Sequence, residues 1–153
     1  MNKNILSKSL ARYLVVQAIF SQSFGLEKHE IEKSFVKNSD LNFHTDFEGK
    51  FKEDKFDEIF FKTIFDNVFQ NGETINRLIS DNLSEGWSFS RLPKVLQALL
   101  RVAIAEMISY PETSTGIIIS EYLKLAESFN INKENNFINA ILDKIHKELI
   151  ING

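Results

Sequence analysis

The chain has 153 residues, of which 43% are hydrophobic and 25% charged, as expected for one compact domain or for two small subdomains that share a core. A formal net charge of −3 excludes a global positive field, so contact with nucleic acid would need a local basic patch or a charged partner. The lack of cysteine, of metal-ligand spacing among the three histidines and of a long apolar run predicts a cytoplasmic protein with no disulfide, metal, cofactor or membrane span.

The first predicted helix runs from about residue 8 to 24, where apolar residues recur at helical spacing. We expect its far side to meet a partner or another helix, because polar, aromatic and apolar residues share it: Ser9, Arg12, Tyr13, Val16 and Phe20. Gly25 ends this helix, and a second is predicted over 27–36. Residues 38–54 have no sustained period and predict a long loop, with some of its phenylalanines packed on the core.

Helical periodicity returns over 55–70, and Asn71-Gly72 separates that helix from another over 73–83. Residues 84–90 are predicted to be a connector and a subdomain boundary. The helix after Pro93 is apolar nearly all round, which places it at the centre of the molecule, and Tyr110-Pro111 ends it. Two more amphipathic helices follow, the first ending near Phe129.

No segment alternates with period two for long enough to require a sheet, so the predicted fold class is all-α, with about seven helices. The chain is expected to form a single domain over 1–153. Within it we expect an N-terminal bundle over about 1–83 and a C-terminal bundle over 88–153.

Three polar residues stand among the apolar positions of the C-terminal half. Glu106 falls inside the apolar sector of its helix, and a buried carboxylate needs hydrogen-bond donors. We expect the donors to come from the loop 109–116 and the start of the next helix. Asn139 is predicted to satisfy backbone groups between helices, whereas Glu121 falls at a rim. We interpret all three as structural, since a catalytic acid would need a second polar group and a cleft.

Basic and aromatic residues near the ends of helices allow two interpretations each. Lys3, Lys8 and Arg12 form either a solvated face or a set of cations for an RNA backbone. Tyr13 and Phe20 are either core aromatics or a protein-docking face. Phe129 precedes the polar segment NINKENN, so it is either a core residue or a platform for an RNA base.

Four segments together resemble the NusB family of transcription antitermination and ribosomal RNA processing factors: ARYLVVQAIFS, LLRVAIAEM, IIISEYLKLAESF and FINAILDKI. Residues 26–85 match that family only in their helical pattern. The resemblance implies an all-helical fold of two packed three-helix bundles plus an additional helix. It also implies a non-enzymatic factor that binds boxA RNA together with NusE, a small-subunit ribosomal protein, and supports ribosomal RNA transcription by RNA polymerase within an antitermination complex.

Carried over residue by residue, the resemblance implies an RNA-binding set of Lys3, Lys8, Ser9, Arg12, Phe129, Asn132, Lys133 and Asn136. It implies a NusE-docking set of Tyr13, Val16, Phe20 and Leu96. Ser9 and Leu10 stand where basic residues are common in the family, and Leu96 stands at a position that is acidic in some members. The basic patch is therefore thinner here, and RNA affinity is expected to depend more on the partner.

Two alternatives remain open. A NusB-like domain also begins some RNA cytosine methyltransferases, although these 153 residues hold no glycine-rich cofactor loop and no cysteine nucleophile. The chain could also be a helical scaffold that forms a homodimer through its aromatic face.

Overall fold

The computed structural model describes residues 3–36 and 56–152, and within these ranges the regular structure is entirely helical. The described ranges contain seven α-helices and two short 3₁₀ turns, at Phe89–Arg91 and Asn132–Glu134. The α-helices are α1 (Lys3–Gln22), α2 (Lys28–Val36), α3 (Glu58–Gln70), α4 (Gly72–Asp81), α5 (Lys94–Ser109), α6 (Thr115–Ser128) and α7 (Asn135–Asn152). The predicted all-α class is confirmed.

The helix ends follow local sequence signals, with small shifts from the predicted bounds. α1 begins at Lys3, earlier than predicted, and ends at Gln22, after which Gly25 adopts φ +92° in the following turn. The side chain of Asp57 accepts a hydrogen bond from the Phe60 N–H at the start of α3. Pro93 lies just before α5, at its N-cap position. The predicted loop 38–54 lies outside the described residues.

α5 is the central helix, as its nearly continuous apolar surface predicted. It packs against α1, α3, α4, α6 and α7. Leu99, Leu100 and Ile104 are completely buried, because neighbouring helices cover α5 on all sides. The buried apolar residues form one cluster that draws on both predicted bundles, and the division at residues 83–88 stays a prediction. No helix in the described ranges is long and apolar enough to cross a membrane.

Candidate nucleic-acid interface

The seam between α1, α5 and α6 is held by a buried ion pair between Arg12 and Glu106. The Arg12 Nε donates to Glu106 Oε1 at 2.8 Å, and Nη2 donates to Oε2 at 2.8 Å. Arg12 is 5% exposed and Glu106 is fully buried. This bidentate geometry gives a strong, directional ion pair, and it fixes α1 against α5.

Three further side chains complete what we call the Arg12–Glu106 network. The Tyr122 hydroxyl donates to Glu106 Oε1 at 2.8 Å. Glu121 Oε1 accepts from the Ser9 hydroxyl at 3.0 Å and from Arg12 Nη1 at 3.1 Å. The network thus joins α1 to both α5 and α6 and contains two carboxylates for one guanidinium.

Burial and charge shift the pKa values of two members of this network. Burial alone would lower the pKa of Arg12, but the hydrogen bond and the negative charge of Glu106 outweigh it and raise that pKa above its usual range. Burial and the adjacent Glu106 raise the pKa of Tyr122 well above 10.0. Arg12 therefore stays a cation and Tyr122 a neutral hydrogen-bond donor.

These contacts revise two predictions. The donors to Glu106 are side chains of α1 and α6, and not the loop 109–116, because the helices pack closely enough for Arg12 and Tyr122 to reach it. Arg12, predicted to bind RNA, lies in the interior with its guanidinium bonded to two carboxylates, so its side chain is not free to reach a phosphate. Ser9 is half-buried and its hydroxyl is directed at Glu121.

Lys8 is exposed at this end of α1. Its Nζ lies 5.5 Å from the centroid of the Phe60 ring, and the Arg12 guanidinium lies 5.0 Å from the same centroid. Phe60 of α3 therefore makes cation–π contacts with both side chains, with Lys8 at the surface and with Arg12 in the interior. The side chain of Lys3 lies outside the described part of the molecule.

Phe129, directly after α6, is half-buried and stacks on Tyr13 of α1. The ring centroids are 4.9 Å apart and the rings are inclined by 10°. Tyr13 covers one face of Phe129, so a base could reach only its other face or its edge. This stack is a second contact between α1 and α6, beyond the one made by Glu121.

The remaining predicted RNA contacts lie in the segment 132–136, which consists of the 3₁₀ turn Asn132–Glu134 and the first two residues of α7 and is here called the exposed turn. Asn130 adopts φ +61°, and the N–H of the buried Ile131 donates to the Ala126 carbonyl at 2.8 Å, which anchors the segment to α6. Asn132, Lys133 and Asn136 are all exposed. The turn thus presents two amides and one ammonium group to solvent.

A shallow groove between α6 and α7, here called the α6–α7 groove, was not predicted from the sequence. Asn139, expected to satisfy backbone groups between helices, is instead exposed on its wall, because the face of α7 that carries it is turned away from the core. The groove has a volume of about 460 Å³. Its lining residues are Gly116, Ile119, Ser120, Leu123, Lys124, Glu127, Asn135 and Asn139.

Comparison with known proteins gives the family. The NusB family profile matches residues 9–147. The chain is 32% identical over 153 residues to the transcription antitermination protein NusB of Sphingopyxis alaskensis, covering 97% of this chain and 98% of that protein. It is also 32% identical over 155 residues to the NusB of Rickettsia africae, covering 97% of each. The chain belongs to the NusB family.

The NusB fold is supported independently by a solved structure. T. maritima NusB superposes with a TM-score of 0.69, at 24% identity, over 92% of this chain and 90% of that one. No group of His, Cys, Asp and Glu side chains that could hold a metal ion occurs in the ranges 3–36 and 56–152.

The predicted NusE-docking set of this NusB-family chain needs a correction. Tyr13 and Val16 are fully buried and Leu96 is 1% exposed, so their side chains cannot form a docking surface. The far side of α1 is covered by neighbouring helices of its own chain. Phe20 is half-buried, and its ring meets that of Phe24, which is 71% exposed, at 5.1 Å in an edge-to-face arrangement. Of the four docking residues, only Phe20 reaches the surface.

Four of the residues predicted to bind RNA have exposed side chains. Lys8 and Lys133 are exposed cations, and the amides of Asn132 and Asn136 are exposed hydrogen-bond donors and acceptors. Phe129 supplies a half-covered ring. Unpaired bases of single-stranded RNA are recognised by this combination of groups.

Proposed function

We propose that this NusB-family protein is a non-enzymatic transcription antitermination factor that binds boxA RNA together with NusE and supports ribosomal RNA transcription by RNA polymerase in the cytoplasm. Family membership supports the antitermination role, since both full-length relatives carry that name. The observation that carries the proposal for RNA is the stack of Phe129 on Tyr13, which holds the end of α6 and the exposed turn against α1.

The proposed RNA path runs between the start of α1 and the exposed turn. Glu121, which contacts Ser9 and Arg12 of α1, lies eight residues before Phe129, or about 12 Å along the helix at 1.5 Å per residue. A short stretch of single-stranded RNA spans such a distance. In this proposal Lys8 contacts phosphate at one end, while Phe129, Asn132, Lys133 and Asn136 contact bases and phosphate at the other.

The net charge and the small number of exposed cations on the proposed path support a requirement for NusE in RNA binding. The net charge is −3, and the proposed path offers two described exposed cations, Lys8 and Lys133, because Arg12 is paired in the interior. Each phosphate contact to a single strand contributes about −0.7 to the slope of log K against log salt. We therefore propose that NusE, docked near Phe20, supplies additional contacts to the same RNA.

A salt series tests this function. The affinity for a boxA-containing RNA and for a scrambled RNA of equal length is measured with and without NusE. The proposal predicts weak binding by the protein alone, a shallow salt slope of about −1.4 from two phosphate contacts, and tight, sequence-specific binding once NusE is added. Strong binding by the free protein at moderate salt would contradict it, as would equal affinity of the complex for both RNAs.

Sedimentation of the protein alone and with NusE tests the homodimeric scaffold that the sequence left open. The adaptor proposal predicts a one-to-one complex with NusE. A stable dimer that persists in the presence of NusE and excludes it would favour the scaffold instead.

A further inference from the structure

The α6–α7 groove has an apolar floor and polar walls. Ile119 and Leu123 of α6 are half-buried at its base, and Gly116 adds no side chain to fill it. Its volume of about 460 Å³ lies within the range of about 300–1,000 Å³ that is usual for sites that bind small molecules. The floor can therefore accept one flat apolar face, such as that of a nucleobase.

Two asparagines of α7 make the wall of the groove unusual. Asn135 Oδ1 is shielded from solvent and has no hydrogen-bond partner among the described residues. Asn139 is exposed, and no partner for its amide occurs within the same ranges. An amide group offers two donors and an acceptor, which matches the edge of a base, and a buried acceptor left unpaired is unfavourable until a ligand donates to it.

Charged groups on α6 make the two ends of the groove electrostatically different. The ammonium group of Lys124 and the hydroxyl of Ser120 lie on the wall opposite the asparagines, whereas Glu127 lies one turn beyond Lys124. A phosphate is attracted to the end near Lys124 and Ser120 and repelled from the end near Glu127, which can instead accept from an exocyclic amine or a 2′-hydroxyl.

The groove continues the proposed RNA path. The 3₁₀ turn Asn132–Glu134 runs directly into Asn135, the first residue of α7, and that turn packs on both α6 and α7. On α6, Glu121 contacts α1 while its neighbour Ser120 lines the groove. The exposed turn and the groove therefore adjoin each other, and RNA that leaves the turn can enter the groove.

We propose that the α6–α7 groove holds one unpaired nucleotide that flanks boxA in single-stranded RNA. The base lies on Ile119 and Leu123, its edge bonds to the amides of Asn135 and Asn139, and Lys124 contacts the adjacent phosphate. This inference rests on the proposed function. It adds a second contact region to it, made of residues on which the boxA core does not depend.

The test compares a boxA core RNA with the same RNA extended by three nucleotides at the 5′ end, at the 3′ end or at both, all measured with NusE present. We expect one extension to tighten binding about fivefold, the effect of one or two net hydrogen bonds. Asn139→Ala and Lys124→Ala should each abolish most of that gain and leave the affinity for the core RNA unchanged. Lys144→Ala is the matched control, since Lys144 is an exposed lysine of α7 that does not line the groove.

Each outcome separates the two proposals. Equal affinity for core and extended RNAs, or a gain that survives both substitutions, overturns the groove site and leaves the proposed function standing. Absence of binding by every RNA, with NusE present, overturns both. If the substitutions weaken the affinity for NusE measured without RNA, the groove is a protein site and the inference is wrong.

Discussion

Lys8 and Arg12 lie one turn apart on α1, have the same charge and approach the same Phe60 ring, yet they occupy different environments. Arg12 lies inside the seam and is fully paired, whereas Lys8 lies outside it in solvent. The inside of the seam contains the acid–base pairs that align the helices, and the outside contains the free groups that a ligand could reach. A cluster of basic residues in a sequence is therefore not yet a binding patch.

The same division separates Glu106 from Asn139. Both are polar residues within apolar helical segments, and both were predicted to be structural. Glu106 is buried and receives donors from two other helices, whereas Asn139 is exposed on a groove. Polar residues inside a helical pattern thus divide into those that hold the fold and those that are available to a partner, and burial decides which.

The largest expected effect comes from breaking the interior. Glu106→Ala leaves the Arg12 guanidinium buried with only Glu121 beside it, so we expect the free energy of unfolding to fall by about 3–5 kcal/mol. Urea denaturation measures this change. Glu112→Ala, at an exposed acid after α5, is the control and should stay within about 0.5 kcal/mol of the parent protein. A loss below about 1 kcal/mol for Glu106→Ala would mean that the network does not hold the seam.

The second effect concerns Phe129, which is half-buried at the boundary between the buried seam and the exposed surface. Phe129→Ala removes the ring stacked on Tyr13, and we expect a loss of about 2 kcal/mol in stability, since Phe129 is only half-buried. RNA affinity in the presence of NusE should fall as well. Phe129→Leu separates the two roles, because it retains apolar packing and loses the aromatic face. Unchanged RNA affinity for both variants would remove Phe129 from the proposed interface.

A smaller effect tests the buried network through the pH dependence of the free energy of unfolding. Burial and Glu106 raise the pKa of Tyr122 in the folded protein, so the unfolded chain loses that proton first as the pH rises. The stability contributed by Tyr122 is thus fully present below about pH 10 and declines above it, with a slope of up to about 1.4 kcal/mol per pH unit. Tyr122→Phe should lower stability by about 1.5 kcal/mol at pH 7 and flatten the alkaline slope. Identical alkaline slopes for parent and variant would contradict this assignment.

The smallest effect on stability is expected outside the seam. Lys8→Ala should change the free energy of unfolding by less than about 0.5 kcal/mol, since its ammonium group is solvated. For this variant, the slope of log K against log salt for boxA RNA should become shallower by about 0.7, the contribution of one phosphate contact to a single strand. Lys94→Ala, at the exposed start of α5, is the control. An unaltered slope would exclude Lys8 from the RNA path.

The helical pattern of the sequence predicted the fold class and the order of the helices. It also predicted the central position of α5, because a helix that is apolar all round is buried. It did not predict what covers α1. Tyr13 and Val16 lie on the side away from the main apolar stripe, and periodicity cannot distinguish solvent from a second layer of helices. The partners of Arg12 were also inaccessible, since Glu106 is 94 residues away in the chain. The exposed turn and the groove depend on how α6 and α7 meet, which no local pattern encodes.

The most direct test neutralises the interior network without leaving a charge unpaired. In the triple variant Arg12→Met, Glu106→Gln and Glu121→Gln, the amide oxygen at position 106 can still accept from Tyr122, and the amide oxygen at position 121 can still accept from Ser9. A buried ion pair replaced by groups of similar volume often leaves stability unchanged. If the interior only aligns helices, this variant folds and binds boxA RNA with NusE at the parent affinity and salt slope. A folded variant whose salt slope is shallower by about 0.7 would show that Arg12 itself contacts phosphate, and it would contradict the separation of the seam from the binding surface.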